Sequence, residues 1–391
     1  MGQLHFRVVA LLCMVLGAGI FLMLYWPAGN QWQTTQPLRT WKCHACGASS
    51  PEHTVGTRKI AKQKWIGKME RKTLWTPAAI THISCTGKRD GPAPALARPA
   101  GFISPFDYIP GSKNPCWNSS TEDSLPQLNC LPYFFLAGVS KCGSTDIFSR
   151  LTEHPQVMIT KQKEPRWFDI RRYNKGDGSP TYFWRNYHWA LYPGNEGCGE
   201  PRVVIPDFIR RLLPDAKIII SFRNPADSLY SKYLQYGDKG FSRSPDHFHT
   251  LVTGQIRRYQ DCFSHHSVRS CAYNVTLSTE TEVRLEKGLY AVFLADWFRI
   301  FPPDQFHIIR FEDYVADIRG HLQNMFDFLA LDAMPETSLQ EVASRPPANR
   351  GNHYDVGPML PVTRQVLEEF YTPFNRRLAD LLSDKRFLWP S

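Results

Sequence analysis

The sequence predicts an α/β fold: a mostly parallel sheet with helices on both faces. Two observations carry this. Residues 216–222, AKIIISF, form a nearly unbroken β-branched run, as expected of a parallel strand covered on both faces. Residues 131–139, LPYFFLAGV, run apolar into Gly138, and Ile147, Phe148 and Leu151 then follow at helical spacing. Strand-then-helix alternation recurs along the chain, which is the pattern of crossover-connected parallel strands.

Pro132 and Gly138 bound the first strand. A helix is expected over 144–154, stopped by Pro155, and a strand over 156–160, QVMIT. A helix over 207–214 precedes the 216–222 strand, and another over 226–236 follows it. GLYAVFLADWFRIFP, 288–302, reads as an amphipathic helix, with Trp297, Phe298 and Phe301 in the core. A strand at 305–311 and helices at 318–331 and 362–382 complete the order. In such sheets ligands bind beyond the carboxyl ends of the strands, which is where Gly138 to Thr145 falls.

The 391 residues carry 46 Lys and Arg against 36 Asp and Glu, a formal net charge of +10. That surplus favours a polyanionic partner: nucleic acid, an anionic membrane or a charged glycan. The N-terminus narrows the choice. Val8 to Trp26 holds no charged residue and is long enough to cross a hydrocarbon core. It reads as a signal-anchor (8–26) behind a short cytosolic tail (1–7). A cleaved signal peptide is the rival reading, against which the length of the apolar stretch weighs. Residues 27–110 read as a basic, Pro-rich lumenal stem, and 111–391 as the lumenal body. Nucleic acid is not an expected partner there.

Of ten cysteines, Cys13 lies in the membrane segment and Cys142 in the Gly138–Thr145 loop. The other eight make an even set suited to an oxidising lumen. Cys262 and Cys271 bracket a short polar stretch and are expected to pair, with Cys116 and Cys130 a second candidate pair. Cys43 and Cys46 form a lone C-x-x-C with no second half, so no metal site is expected. Asn118 and Asn274 stand in glycosylation sequons.

GVSKCGST, residues 138–145, has the glycine spacing of a phosphate loop, but Ser144 stands where a nucleotide-binding lysine would, and the lysine is Lys141. A strand, a Gly-containing turn and a helix start still make an anion site, because backbone N–H groups and the helix dipole point at the ligand. The 216–222 strand ends in Arg223, not in an Asp that would hold Mg²⁺. Both differences weigh against a kinase or ATPase with an aberrant loop. A donor whose charge is met by protein cations fits better.

LAGVSKCGSTDIFSRLTEHPQV, then KEPRWFD, then IIISFRNPADSLYSKYLQY resembles the carbohydrate sulfotransferases of the Golgi lumen, over residues 130–385. The likeness is strongest to the N-acetylgalactosamine 4-sulfate 6-O-sulfotransferase type, and weaker to the heparan sulfate enzymes. It implies a P-loop-like fold using 3′-phosphoadenylyl sulfate (PAPS). Lys141, Cys142, Gly143, Ser144 and Thr145 would bind the 5′-phosphosulfate, and Arg223 with Ser231 the 3′-phosphate. Glu164 matches a general base, which a poorly nucleophilic sugar hydroxyl needs. His154 and His188 are weaker candidates for that role. Lys163 and Arg166 would meet sulfate or carboxylate on the acceptor. Arg350 and Gly351 fall where the resemblance implies a loop that closes over the donor. The implied protein is a single-pass type II Golgi membrane enzyme, needing no metal and sulfating a glycosaminoglycan. The expected position is the 6-O of GalNAc 4-sulfate in chondroitin or dermatan sulfate. The alternatives are a heparan-type O-sulfotransferase and a non-catalytic glycan-binding protein on the same fold.

Overall fold

The computed structural model describes Cys85 and residues 108–119, 127–158, 179–235, 243–348 and 356–389, which lie in the compact unit Val55–Ser391. The tail, the 8–26 segment, Cys43, Cys46, Lys163, Glu164, Arg166, Arg350 and Gly351 lie outside the described residues.

An antiparallel pair comes first, β1 (Cys116–Ser119) with β2 (Gln127–Cys130). Cys116 sits opposite Cys130 and the two are disulfide-bonded. The central sheet is parallel, with β3 (Phe134–Gly138), β4 (Lys217–Phe222) and β5 (Phe306–Arg310) in that spatial order. After β3 comes α1 (Ser144–Leu151), and α2 (Ile205–Leu212) leads into β4. Between β4 and β5 lie α3 (Pro225–Gln235), α4 (Pro245–His265), α5 (Val268–Ala272), α6 (Val275–Thr279) and α7 (Tyr290–Ile300). Helices α8 (Phe311–Ala316), α9 (Ile318–Phe328), α10 (Glu336–Ser344) and α11 (Pro361–Leu382) follow β5.

Strand alternation explains the layers. Ile218, Ile220 and Phe222 join Phe135 and Ala137 in one core, packed with residues of α4, α7 and α11. Ile219, Leu136 and Ile309 face the opposite way, against Ile147 and Leu151 of α1, Leu322, Met325 and Phe326 of α9, and Leu339 of α10. Both faces are therefore covered, as the β-branched run of β4 required. Trp297 and Phe301 lie in the first core, and Phe298 packs against it half-buried.

Two local expectations are corrected, and one helix is added. Gln156, Val157 and Met158 do not form a strand. His154 is buried there, its Nε2 2.9 Å from the Asp332 carbonyl, and its own carbonyl accepts from the Val157 amide, closing a turn. Helix α7 is not amphipathic along its length: every residue from Tyr290 to Trp297 is buried. Its one carboxylate, Asp296, is held by Arg269 (3.1 Å) and the Tyr273 hydroxyl (2.6 Å), as a buried charge must be. Helix α4 went unread, although Ser244 caps it and Phe248, Val252, Tyr259 and Phe263 mark a buried stripe.

Cys262 and Cys271 are bonded as expected. Cys85, from the stretch read as stem, is bonded to Cys198 across 113 residues, a pairing that no local spacing could suggest. Asn118 and Asn274 are both exposed, and Asn274 also caps α6 by accepting from the Leu277 amide.

Candidate active site

The cleft of about 810 Å³ at the carboxyl end of the parallel strands is lined by Lys141, Gly143, Ser144, Thr145, Arg223 and Ser231. Residues from two separate sequence motifs thus reach one cavity. Gly143 caps α1 with φ 77°, a left-handed conformation that favours glycine. A Cβ there would come within 2.6 Å of the Phe311 ring, so the close approach also demands glycine. Arg223 lies over the other side of the same problem: its guanidinium is 5.0 Å from the Phe311 centroid, and its Nη1 donates to the Lys141 carbonyl at 3.3 Å. The strand-end cation and the loop are thereby held as one unit.

The Cys142 side chain does not line the cleft. Its thiol is fully buried and faces the Ser228 and Tyr290 hydroxyls, each 3.8 Å away, on the side of the loop away from the cleft. Burial pushes it up to about 11, so it stays protonated and unreactive. What a small residue does here is now visible: it lets the loop back onto α3 and α7.

Asp146 was not read from the sequence. It follows the loop on α1 and lines the cleft, yet its oxygens are occupied. It accepts from Arg150 Nε (2.8 Å), the Tyr314 hydroxyl (2.6 Å) and the Ala348 amide (2.8 Å). Burial works to raise its pKa, but these donors outweigh it and hold the carboxyl below its usual range. Arg150 in turn donates to the carbonyls of Val342, Ala343 and Arg345, satisfying the C-terminal end of α10. One buried pair therefore ties the start of the phosphate-loop helix to the chain that leads toward Arg350.

His154 is excluded as a base, since both ring nitrogens are engaged away from the cleft. His188 is exposed and does not line it. The cleft walls add Trp184, Arg185, Lys232, Arg284 and Lys287, none of which the motif reading singled out. The signal was faint: one Arg in an aromatic run at 181–189, and one Lys beside an acidic residue before α7. Among the described residues, no group of three His, Cys, Asp or Glu gathers to hold a metal ion.

A parallel sheet with helices on both faces and a cationic loop at its carboxyl edge defines the class: the Sulfotransferase domain family matches residues 201–345. The chain belongs to the carbohydrate sulfotransferase family. It is 32% identical to carbohydrate sulfotransferase 15 of Mus musculus, over 73% of this chain and 66% of that protein's length. The human protein of that name is 30% identical over the same shares. Heparan sulfate glucosamine 3-O-sulfotransferase 6 of Homo sapiens is 27% identical over 66% of this chain and 74% of its own. Among solved structures, a sulfotransferase from Alicyclobacillus acidocaldarius is similar at 20% identity and a TM-score of 0.42, covering 65% of this chain and 96% of that one.

Proposed function

We propose that the chain is a PAPS-dependent sulfotransferase of the Golgi lumen, acting on the 6-O position of GalNAc 4-sulfate in chondroitin or dermatan sulfate. The observation that carries the reading is the convergence of Lys141, Ser144, Thr145, Arg223 and Ser231 on one cleft. These are the donor types that a phosphosulfate and a separate phosphate require. The acceptor assignment rests on the 32% identity to carbohydrate sulfotransferase 15, and the lower identity to the heparan relative makes that acceptor the second choice.

In this reading the acceptor hydroxyl attacks sulfur in line. Glu164 takes its proton, the new O–S bond forms, and the S–O bond to the 5′-phosphate breaks. Lys141 and the loop amides stabilise the charge that collects on the departing phosphate of 3′,5′-ADP. Lys163 and Arg166 bind acceptor anions, and Arg350 with Gly351 closes over the donor. A lumenal setting is supported by the disulfides Cys85–Cys198, Cys116–Cys130 and Cys262–Cys271. Anchorage through residues 8–26 and glycans at Asn118 and Asn274 belong to the same proposal.

The test is to incubate the full chain with labelled PAPS and a panel of chondroitin, dermatan and heparan sulfates, then digest to disaccharides. Label in disulfated GalNAc disaccharides is expected. Label confined to heparan products would move the assignment to the heparan type. PAPS-independent glycan binding with no transfer would favour the non-catalytic reading.

A further inference from the structure

The cleft has a second cationic region that the donor motifs do not use. Lys287 is only 8% exposed, yet it lines the cavity. Its ammonium rests 4.9 Å from the Trp184 ring centroid. It makes no hydrogen bond or ion pair with a carboxylate among the described residues. A buried ammonium is costly without a hydrogen-bonded counter-charge. Burial pulls its pKa down; the neighbouring Glu286 opposes that, while Lys232 and Arg284 add to it. Glu286 is buried and is not among the residues that line the cavity.

Arg284 stands beside Lys287 in the same cleft, and both belong to the turn leading into α7. Its Nη1 donates to the Tyr187 hydroxyl at 2.7 Å, and Arg185 lies 4.9 Å from the same ring. Trp184 and Tyr187 thus hold the two cations in place at the cleft wall. Cations fixed in this way suit an anionic ligand group. The described lining holds six cations, Lys141, Arg185, Arg223, Lys232, Arg284 and Lys287, against one carboxylate, Asp146, whose oxygens are already occupied. Lys141 and Arg223 suffice for the two charged ends of the donor. Lys287 and Arg284, which the donor motifs do not use, are placed to meet a second anionic ligand.

We propose that Lys287, with Arg284 beside it, is the counter-ion for an anionic group already present on the acceptor glycan, and that this pair selects a charged acceptor. The inference rests on the sulfotransferase reading above. The anion is a sulfate ester or a uronate carboxylate, and the choice of acceptor separates them.

The full chain and its Lys287→Met and Arg284→Met variants are assayed on chondroitin 4-sulfate, unsulfated chondroitin and carboxyl-reduced chondroitin 4-sulfate. Loss of one charge-assisted bond should raise KM for chondroitin 4-sulfate by about tenfold or more. If the group is sulfate, KM for unsulfated chondroitin barely moves. If it is carboxylate, the carboxyl-reduced acceptor is the insensitive one. Affinity for 3′,5′-ADP should stay within about twofold, because the donor contacts remain. An unchanged acceptor KM in a folded variant, or an equal loss of 3′,5′-ADP affinity, overturns the proposal. Should Lys287→Met fail to fold, Arg284→Met reads the same effect. Calorimetric binding of chondroitin 4-sulfate reads the inference without catalysis: weaker binding in the variants supports it and equal binding overturns it. Absence of transfer by the wild-type chain would count against the sulfotransferase reading alone.

Discussion

The Ser221 hydroxyl donates a 2.7 Å hydrogen bond to the carbonyl oxygen of Cys142, from inside β4 to the middle of the phosphate loop. Ser221 is fully buried, and its own backbone carbonyl accepts from the Val139 amide at 3.0 Å. One strand residue thus holds the loop at two points. A serine inside an otherwise β-branched run is explained by this duty. Ser221→Ala should leave a buried carbonyl short of a donor and cost about 1–2 kcal/mol. Urea unfolding checks the stability change. KM for PAPS should rise more than KM for the glycan if, as proposed, this loop binds the donor.

Lys141 and Arg223 are expected to fail differently. Lys141→Ala should lower kcat by about 10²–10³, the scale of losing one group that stabilises developing charge, with little change in thermal stability. Arg223→Ala should weaken 3′,5′-ADP by about tenfold or more if, as proposed, it meets a phosphate in the ground state. A Lys141→Ala enzyme with near wild-type kcat would remove that residue from the mechanism.

Asp146 is a structural carboxylate in a functional cavity. Asp146→Asn leaves Arg150 buried without its counter-charge and should destabilise by about 3–5 kcal/mol. The Ala348 amide also loses its full-charge acceptor. Hydrogen exchange should therefore speed up at the Ala348 amide as well as in α1. Faster exchange confined to α1 would show that the link to α10 carries nothing.

His307 makes stability depend on pH. It sits on β5 with its ring 5.3 Å from that of Phe328 and its Nε2 buried without a hydrogen-bond partner. Burial, with the nearby His321 adding to it, lowers its pKa from 6.5 to about 4. Between those values the unfolded chain binds the proton and the folded one does not, so stability rises with pH. The contribution is complete above pH 6.5 and is lost as pH falls toward about 4. At ~1.4 kcal/mol per pKa unit it amounts to at most about 3.5 kcal/mol. His307→Leu should flatten the fall in melting temperature between neutral pH and pH 5; an unchanged slope would assign the acid sensitivity to carboxylates instead.

Periodicity and motif order, by themselves, determined the architecture and which loop, strand-end and helix residues meet at the cleft. The β4 run could be stable only with both faces covered, so the helices on either side of it follow from its side chains. Gly143, Lys141, Arg223 and Ser231 were legible because local backbone geometry dictates their spacing: a turn, a strand end and a position on the next helix. What only the tertiary structure decided are relationships between distant segments. The i,i+4 spacing of Asp146 and Arg150 is local, but nothing near Asp146 in the sequence indicates that it also serves Tyr314 and Ala348, and nothing near Cys85 indicates Cys198. Lys287 looks like an ordinary charged residue next to a glutamate until α7 is seen to be buried all round, with Trp184 beneath the ammonium. Cys142 shows the same limit from the other side: its place in the loop is fixed by sequence, but packing against Ser228 and Tyr290 turns its thiol away from the cleft. Hydrophobic pattern and backbone propensity act over a few residues, whereas the burial of a charge is set by whichever segments fold over it.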